Sequence, residues 1–385
     1  MMSAEESGQR KLRVGVVFGG RSGEHEVSLM SARSVITALD RDKYEVIEIG
    51  ISKDGRWLAG EALAQLQHGE TNALPATLLP DPQTAALMQL DQDQNQATNL
   101  STIAELDVII PILHGTYGED GTLQGLLELA GLPYTGAGVV GSAVGMDKAI
   151  FKYVMAANDI PVLDWKLVTS HDWESDPDNV IATIEDRLDY PVFTKPANLG
   201  SSVGISKCSD RTELLAGLDD AFRYDRRAVV EQGIDARELE VAVLGNDDPL
   251  ASIVGEIRPR RAFYDYVAKY LAAPGSEDES ELLVPADIDA ATAEAVRKLA
   301  VRAYKAIDCA GMGRVDLLLD KTDGRLYMNE INTIPGFTTI SMYPKLWQES
   351  GLSYPALLDR LIELAVERHE QKHSLETSFR SEPST

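Results

Sequence analysis

The chain has 385 residues, of which 44% are hydrophobic and 25% are charged, so it is long enough for two or three domains and has the composition of a globular protein. Its formal net charge of −25 argues against a nucleic-acid-binding protein, which would carry a basic face. Cys208 and Cys309 are the only cysteines and show no CxxC pairing, which favours a reducing compartment over a disulfide framework or a thiolate zinc site. The polar start of the chain and its short apolar runs predict a cytoplasmic protein with no membrane partner.

The first part of the chain alternates strand and helix patterns. LRVGVVF at 12–18 is a continuous apolar run typical of a buried parallel strand, and YEVIEIGIS at 44–52 and LDVIIPIL at 106–113 predict further strands. A helix is predicted from Ser28, a residue type favoured at the N-cap, and a second helix follows HGTYGEDG. Residues 60–104, rich in Gln, Ala, Asn and Thr, are interpreted as a variable insertion. The alternation predicts a parallel α/β sheet that binds ligands at the carboxyl ends of its strands.

Beyond residue 147 the pattern changes to short β-like segments separated by turns, which is typical of an antiparallel α+β arrangement. A helix is predicted at about 286–307, before the strand patterns GMGRVDLLLD and GRLYMNEIN. The predicted fold class is therefore α/β followed by α+β.

The segment KPANLGSSVGISK follows a predicted strand and is rich in glycine and serine. Its composition suits a linker, but the backbone amides of 200–204, with the hydroxyls of Ser201 and Ser202, could also close over an anion. Lys195 in this segment and Lys148 in GMDK are suited to meet phosphate oxygens as point charges. The chain has no Gly-Lys dipeptide and hence no Walker A sequence, so a nucleotide would need another type of phosphate site.

The last two strand patterns carry oxygen ligands on one face. In GRLYMNEIN, Glu330 and Asn332 alternate along a strand and therefore project to the same side, as do Arg314 and Asp316 in GRVDLLLD. If the two strands pair, Asp316, Glu330 and Asn332 form an oxygen-only cluster with a guanidinium beside it, which suits Mg²⁺ shared with nucleotide phosphates. The alternative is an ordinary strand pair with a salt bridge.

Six motifs follow one another along the chain: HGTYGEDGTLQGLLELAGLPYTGAG, GMDK, KPANLGSSVGISK, FYDYVAKY, GMGRVDLLLD and NEINTIPGFTTISMYP. Together they resemble the motifs of the D-alanine–D-alanine ligases, members of the ATP-grasp superfamily, and the resemblance covers about residues 12 to 368. The resemblance implies an N-terminal Rossmann-like parallel α/β domain followed by a two-domain ATP-grasp fold that holds ATP between its two domains. It places these domains at 1–147, 148–235 and 236–370, followed by a polar tail at 371–385.

The resemblance also implies roles for the residues at matching positions. Those expected near the reacting groups are Glu26, Ser201, Tyr270 and Arg314. Those expected on the substrate side are His114, Lys269, Gly336, Ser341 and Met342. Nucleotide contacts are expected from Lys148, Phe193, Lys195, Ser202, Glu231, Gln232, Ile234, Glu238 and Phe263. The implied metal ligands are Asp316, Glu330 and Asn332.

Some of these implied roles are specific. Glu26 is expected to hold the ammonium group of the first D-alanine, and Ser341 with the Met342 amide is expected to hold the carboxylate of the second. Phe193 and Phe263 are candidates to sandwich the adenine ring, although both also suit a plain aromatic core.

The implied reaction joins two D-alanines to D-alanyl-D-alanine for peptidoglycan precursor synthesis, through a D-alanyl phosphate and with release of ADP and phosphate. ATP as co-substrate, two Mg²⁺ or Mn²⁺ ions and a homodimer are implied with it. A loop at 265–282 is expected to close over the site. Its AKY pattern, which contains Tyr270, favours the dipeptide over D-alanyl-D-lactate by analogy.

Three alternatives stay open at this point. Another ATP-grasp ligase would join a different acid and amine, D-lactate included. A Rossmann oxidoreductase is suggested by VGVVFGGRSGE, but its glycines do not fit G-x-G-x-x-G after the strand. A nucleotide-binding protein without catalysis is disfavoured, because the expected metal ligands and both lysines are present.

Overall fold

The computed structural model contains three sheets with helices packed on them. It describes residues 10–70, 73–92, 98–200, 203–258, 281–338 and 340–376. Five positions with an expected role lie outside the described residues, together with most of the loop at 265–282: Ser201, Ser202, Phe263, Lys269 and Tyr270. Within the described part of the chain, no helix has both the length and the apolar character needed to span a bilayer.

The N-terminal sheet has seven strands in the order β6-β5-β4-β3-β2-β1-β7. They are β1 (Leu12–Gly19), β2 (Tyr44–Ile51), β3 (Trp57–Ala59), β4 (Leu74–Leu78), β5 (Ala86–Gln92), β6 (Thr98–Glu105) and β7 (Val108–Ile112). The helices are α1 (His25–Ala38), α2 (Ala62–Gln67), α3 (Thr122–Leu129) and α4 (Val139–Met146). As predicted, β1 pairs in parallel with β2 and β7. Strands β3 to β6 extend the sheet in antiparallel fashion, so much of the segment interpreted as an insertion, 60–104, is part of the sheet.

The prediction that Ser28 caps a helix is wrong, because α1 already begins at His25 and Ser28 lies inside its first turn. The hydroxyl of Ser28 instead donates to the carbonyl oxygen of Ile112 and accepts from the amide of Gly19 at 2.7 Å. It therefore ties the carboxyl ends of β1 and β7 together. Gly19 has a φ of 91°, and a Cβ there would lie 2.2 Å from the carbonyl oxygen of Ile51, so the turn after β1 requires glycine.

The central sheet has four antiparallel strands in the order β10-β9-β11-β8. They are β8 (Trp165–Thr169), β9 (Val192–Pro196), β10 (Ser206–Cys208) and β11 (Arg227–Gln232). The helices are α5 (Lys148–Ala157), α6 (Ser170–Ser175), α7 (Pro177–Glu185) and α8 (Arg211–Ala221). The GMDK motif starts α5: the Asp147 side chain accepts hydrogen bonds from the amides of Ala149 and Ile150, which places Lys148 at the first helical position.

The C-terminal sheet has five antiparallel strands in the order β14-β13-β12-β15-β16. They are β12 (Ala236–Leu244), β13 (Leu250–Arg258), β14 (Glu281–Leu283), β15 (Met312–Asp320) and β16 (Leu326–Asn332). The helices are α9 (Ala290–Ala306), α10 (Met342–Glu349) and α11 (Tyr354–His373). The predicted helix at about 286–307 corresponds to α9, and α11 continues past the predicted start of the polar tail at residue 371. The domain bounds 1–147, 148–235 and 236–370 stay predictions.

One hydrophobic core joins the N-terminal and C-terminal sheets, because α11 packs between them. Phe18 of β1 and Leu361 of α11 belong to this same core. Near the end of α11, Arg368 donates to the carbonyl oxygens of Tyr134, at 3.0 Å, and Gly136. The central sheet has a separate core, whose buried members all lie between residues 168 and 230.

Candidate active site

The expected metal ligands lie on the neighbouring strands β15 and β16. Asp316 is directly opposite Glu330 and Arg314 is directly opposite Asn332, so the predicted pairing of the two strands is confirmed. Arg314 donates to Asp316 through Nε at 2.8 Å and through Nη2 at 2.7 Å. The structure adds Glu240 of β12, whose Oε1 lies 3.2 Å from the Arg314 Nε. The alternation of Glu238 and Glu240 in ELEV is the sequence signal for this acid.

The oxygen groups on this face fit a hard divalent cation. The side-chain oxygen of Asn332 is buried and has no hydrogen-bond partner within the described residues, although buried polar atoms are nearly always paired. Two carboxylates and one amide oxygen form the donor set that Mg²⁺ or Mn²⁺ accepts. Among the residues that the structure describes, no group of three or more His, Cys, Asp or Glu could hold a metal.

A buried group of two lysines and one glutamate lies on the central sheet. Lys195 of β9 and Glu231 of β11 are diagonal neighbours on one face, because Glu231 is directly opposite Phe193. Lys195 forms an ion pair with Oε2 of Glu231, while Lys152 of α5 forms an ion pair with Oε1. Burial alone would raise the pKa of Glu231, but the charges and hydrogen bonds of the two lysines lower it to about 2.

This arrangement differs from the expected role of Glu231 as a nucleotide contact, since in this structure both of its oxygens are bound by lysine. Sequence analysis missed Lys152, although its spacing of four residues from Lys148 places both on one side of α5. Lys148 donates to the carbonyl oxygen of Leu199 at 2.5 Å, so it contacts the base of the glycine-rich segment.

The remaining expected nucleotide contacts lie on or next to this sheet and β12. Phe193 has Lys195 Nζ 6.0 Å from its ring centroid, and Ile234 and Glu238 are half-buried. The side chain of Gln232 is bound to the backbone of Asp189, donating at 2.8 Å and accepting at 2.9 Å. In this structure, Gln232 therefore binds the segment that precedes β9.

The expected role of Glu26 does not agree with the structure. Its side chain is 63% exposed and forms an ion pair at 2.7 Å with Lys53. Glu24, by contrast, is only 7% exposed, and its carboxylate lies against two glycine backbones. A Cβ on Gly115 would be 2.7 Å from Glu24 Oε2, and a Cβ on Gly200 would be 3.1 Å from it.

His114 and a second acid, Glu119, lie beside Glu24. The Nδ1 of His114 donates to the carbonyl oxygen of Ile334 at 3.1 Å, and its Nε2 is 3.2 Å from the hydroxyl of Ser31. Burial lowers the pKa of His114, so the ring is neutral and Nε2 accepts from Ser31. Burial and the charge of Glu24 raise the pKa of Glu119 well above its usual range, although Glu119 accepts from the amide of Gly115 at 2.6 Å.

Glu119 was missed by the sequence analysis, although it lies in the glycine-rich HGTYGEDG motif. The charge of Arg314 acts on both His114 and Glu119, and the charge of Glu330 acts on Lys195. Arg314 is thus close enough to the Glu24 group, and Glu330 to the lysine group, for their charges to affect the pKa values there.

The residues expected to bind a second carboxylate lie together at the start of α10. A Cβ on Gly336 would lie 2.9 Å from the hydroxyl oxygen of Ser341. The Ser341 hydroxyl accepts from the amide of Thr338 at 3.0 Å, and Met342 is the first residue of α10. Because the first amides of a helix have no partner within the helix, the Met342 amide is suited to an anion.

Two family models match the chain. One described as "D-ala D-ala ligase N-terminus" matches residues 13–137, and one described as "D-ala D-ala ligase C-terminus" matches residues 154–363. The chain belongs to the D-alanine–D-alanine ligase family. The predictions of the family, of an α/β domain followed by an ATP-grasp fold, and of an ATP-dependent D-alanine ligase are confirmed.

Full-length relatives agree with this assignment. D-alanine–D-alanine ligases of Heliobacterium modesticaldum and Natranaerobius thermophilus are 50% and 48% identical to the chain, over 94% and 96% of it and over 96% and 99% of their own lengths. The solved D-alanine-D-alanine ligase of Coxiella burnetii has 36% identity and a TM-score of 0.79, covering 94% of this chain and 96% of that one. The VanG D-Ala:D-Ser ligase of Enterococcus faecalis has 34% identity and a TM-score of 0.80, covering 92% of this chain and 100% of that one.

Proposed function

We propose that the chain joins two D-alanine molecules to D-alanyl-D-alanine for peptidoglycan precursor synthesis, through a D-alanyl phosphate and with release of ADP and phosphate. The observation that carries this proposal is the position of Arg314. It lies on the oxygen-rich face of β15 and β16, and its charge acts on the buried Glu119 and His114. A phosphoryl acceptor held beside Glu24 would therefore meet a cation on the side where nucleotide phosphates would bind.

In the first step, the carboxylate of one D-alanine attacks the terminal phosphate of ATP. Phosphoryl transfer asks a protein mainly for alignment and positive charge. Lys148 supplies that charge from the start of α5, Lys195 from the central sheet and Arg314 from the C-terminal sheet. Asp316, Glu330 and Asn332 would hold Mg²⁺ or Mn²⁺, which neutralises phosphate charge when it is bound. We propose two such ions.

Glu24 takes the role that was expected of Glu26 and receives the ammonium group of the first D-alanine. Its burial strengthens this interaction, because a buried ion pair is less screened than an exposed one. Glu119 beside it has a raised pKa, so it can carry a proton and does not compete with Glu24 as a second full negative charge.

In the second step, the amine of the second D-alanine attacks the acyl carbon and phosphate leaves. Ser341 and the Met342 amide hold the carboxylate of this second D-alanine, which orients its amine. Arg314 and an amide near Gly336 stabilise the oxyanion. Ser201 and Ser202 keep their proposed roles in the glycine-rich loop, as do Lys269 and Tyr270 in the loop at 265–282. Closure of these two loops would exclude water from the acyl phosphate. Phe263 keeps its proposed contact with the adenine ring.

The proposed reaction is tested by coupled ADP detection with D-alanine, L-alanine, D-alanine plus D-serine, and D-alanine plus D-lactate, with products identified by mass. We expect ADP release with D-alanine and a D-alanyl-D-alanine product, and none with L-alanine. A mixed product formed in preference to D-alanyl-D-alanine would overturn the proposed second substrate. A homodimer and a cytoplasmic location are also proposed; sedimentation and cell fractionation test them.

A further inference from the structure

Lys152 is a buried lysine with no role in the reaction as proposed so far. It lies on α5, which packs across the face of the central sheet that carries Glu231, with Ala149 against Val229. Its exposed fraction is 2%, so a nucleotide that enters from solvent does not reach it. Its ammonium group binds one oxygen of Glu231, and Lys195 binds the other.

The charges of this group are unequal, because two ammonium groups share one carboxylate. Lys195 has a further task in the proposed function, which is to meet a nucleotide phosphate. When Lys195 turns toward a phosphate, Glu231 loses one of its two partners. A buried carboxylate without a partner is strongly unfavourable, so a Glu231 that had Lys195 alone would resist this movement.

We propose that Lys152 is a positioning residue that keeps Glu231 paired and thereby lets Lys195 bind the phosphates of ATP. Lys152 stays on Glu231 in the free and the nucleotide-bound states, while Lys195 exchanges a carboxylate oxygen for a phosphate oxygen. Lys152 thus continues to compensate the charge of Glu231 when Lys195 binds a phosphate. This inference rests on the proposed role of Lys195 in nucleotide binding.

The test compares Lys152→Met, Glu231→Gln and the double variant by calorimetric titration with ADP and Mg²⁺, together with KM for ATP and for D-alanine. Lys152→Met should weaken ADP binding and raise KM for ATP by about tenfold, within the range of coupling between contacting charged residues, with little change in KM for D-alanine. In the double variant the carboxylate is gone and Lys195 is free, so ADP affinity should recover relative to Lys152→Met. A purely structural role for Lys152 predicts that KM for D-alanine rises together with KM for ATP. That result, or no recovery of ADP affinity in the double variant, would overturn the proposal.

Lys166→Met is the matched control. Lys166 is a partly buried lysine on β8 of the same sheet, and its ammonium group donates to the carbonyl oxygen of Thr183 at 3.3 Å. We expect unchanged ADP affinity in this variant. If Lys152→Met does not fold, Lys152→Gln replaces it. Its amide can donate to Glu231 but leaves the charge of the carboxylate uncompensated when Lys195 moves away, so ADP affinity should still fall, and unchanged ADP affinity in this folded variant overturns the proposal. Absence of ADP release by the unmodified chain with D-alanine would instead refute the proposed function.

Discussion

Substitutions of Glu24 and Glu26 are expected to have different effects on D-alanine binding. We expect Glu24→Gln to lower kcat/KM for D-alanine, because the variant loses a buried charge that would pair with the substrate ammonium. A charge-assisted hydrogen bond contributes about 1.5–3 kcal/mol, which corresponds to a loss of about 10- to 150-fold. Glu24 is 7% exposed, so little of this energy is lost to screening by solvent.

Glu26→Gln is the matched control for this experiment. The ion pair that it removes joins side chains that are 63% and 68% exposed, and such pairs contribute at most about 1 kcal/mol to stability. We expect kcat/KM for D-alanine to stay within about twofold of the unmodified value. Initial rates at varied D-alanine and saturating ATP give both results. A large loss for Glu26→Gln with normal activity for Glu24→Gln would refute the assignment of the ammonium site to Glu24.

Three further predictions concern the metal face, the second substrate and stability. Asp316→Asn or Glu330→Gln should abolish D-alanine-dependent ADP release and leave thermal unfolding cooperative; near-normal turnover would contradict the metal assignment. Ser341→Ala should raise KM for the second D-alanine by about tenfold, as expected for a lost hydrogen bond to a charged group, and unchanged kinetics would exclude that carboxylate site. Burial raises the pKa of Asp107, but hydrogen bonds from Arg13 lower it to about 2. Because this pKa is below that of the unfolded chain, the ionised Asp107 stabilises the fold fully above about pH 4, and this stabilisation is lost as the pH falls toward 2. Urea unfolding of Asp107→Asn should therefore show a deficit against the unmodified chain at pH 7 that shrinks toward pH 2, and a constant deficit would contradict this.

The metal face was predictable from sequence because strand geometry repeats every two residues. Alternation places Arg314 and Asp316 on one side of β15, and the short connection to β16 brings Glu330 opposite Asp316. The alternation in the sequence and the pairing of neighbouring strands therefore predict the same cluster of side chains. The lysine group was only half predictable, since the pairing of Lys152 with Glu231 spans 79 residues of chain and depends on how α5 packs on the sheet.

The error at Glu26 has a specific physical cause. Glu26 was assigned from the resemblance of GEHEVS to the family motif, and this segment contains two acids, only one of which can face inward. Which of them does so depends on where the helix starts, and the predicted cap at Ser28 was too late. With α1 starting at His25, Glu26 is in the first turn and its side chain projects to solvent, while Glu24 at the N-cap position is buried. The cap preference of serine was outweighed by its bonds to Gly19 and Ile112, which no local pattern encodes.

The position of α11 determines which parts of the chain can move separately. Its apolar side is shared by the first and last sheets, and Arg368 grips the backbone at Tyr134 and Gly136, so these two sheets are expected to rotate as one block. The central sheet has a core of its own and is joined to the C-terminal sheet through α5, whose Phe151 and Met155 pack in the core of that sheet. We expect the site to open and close over ATP by a hinge motion of the central sheet, while the proposed D-alanine sites stay fixed.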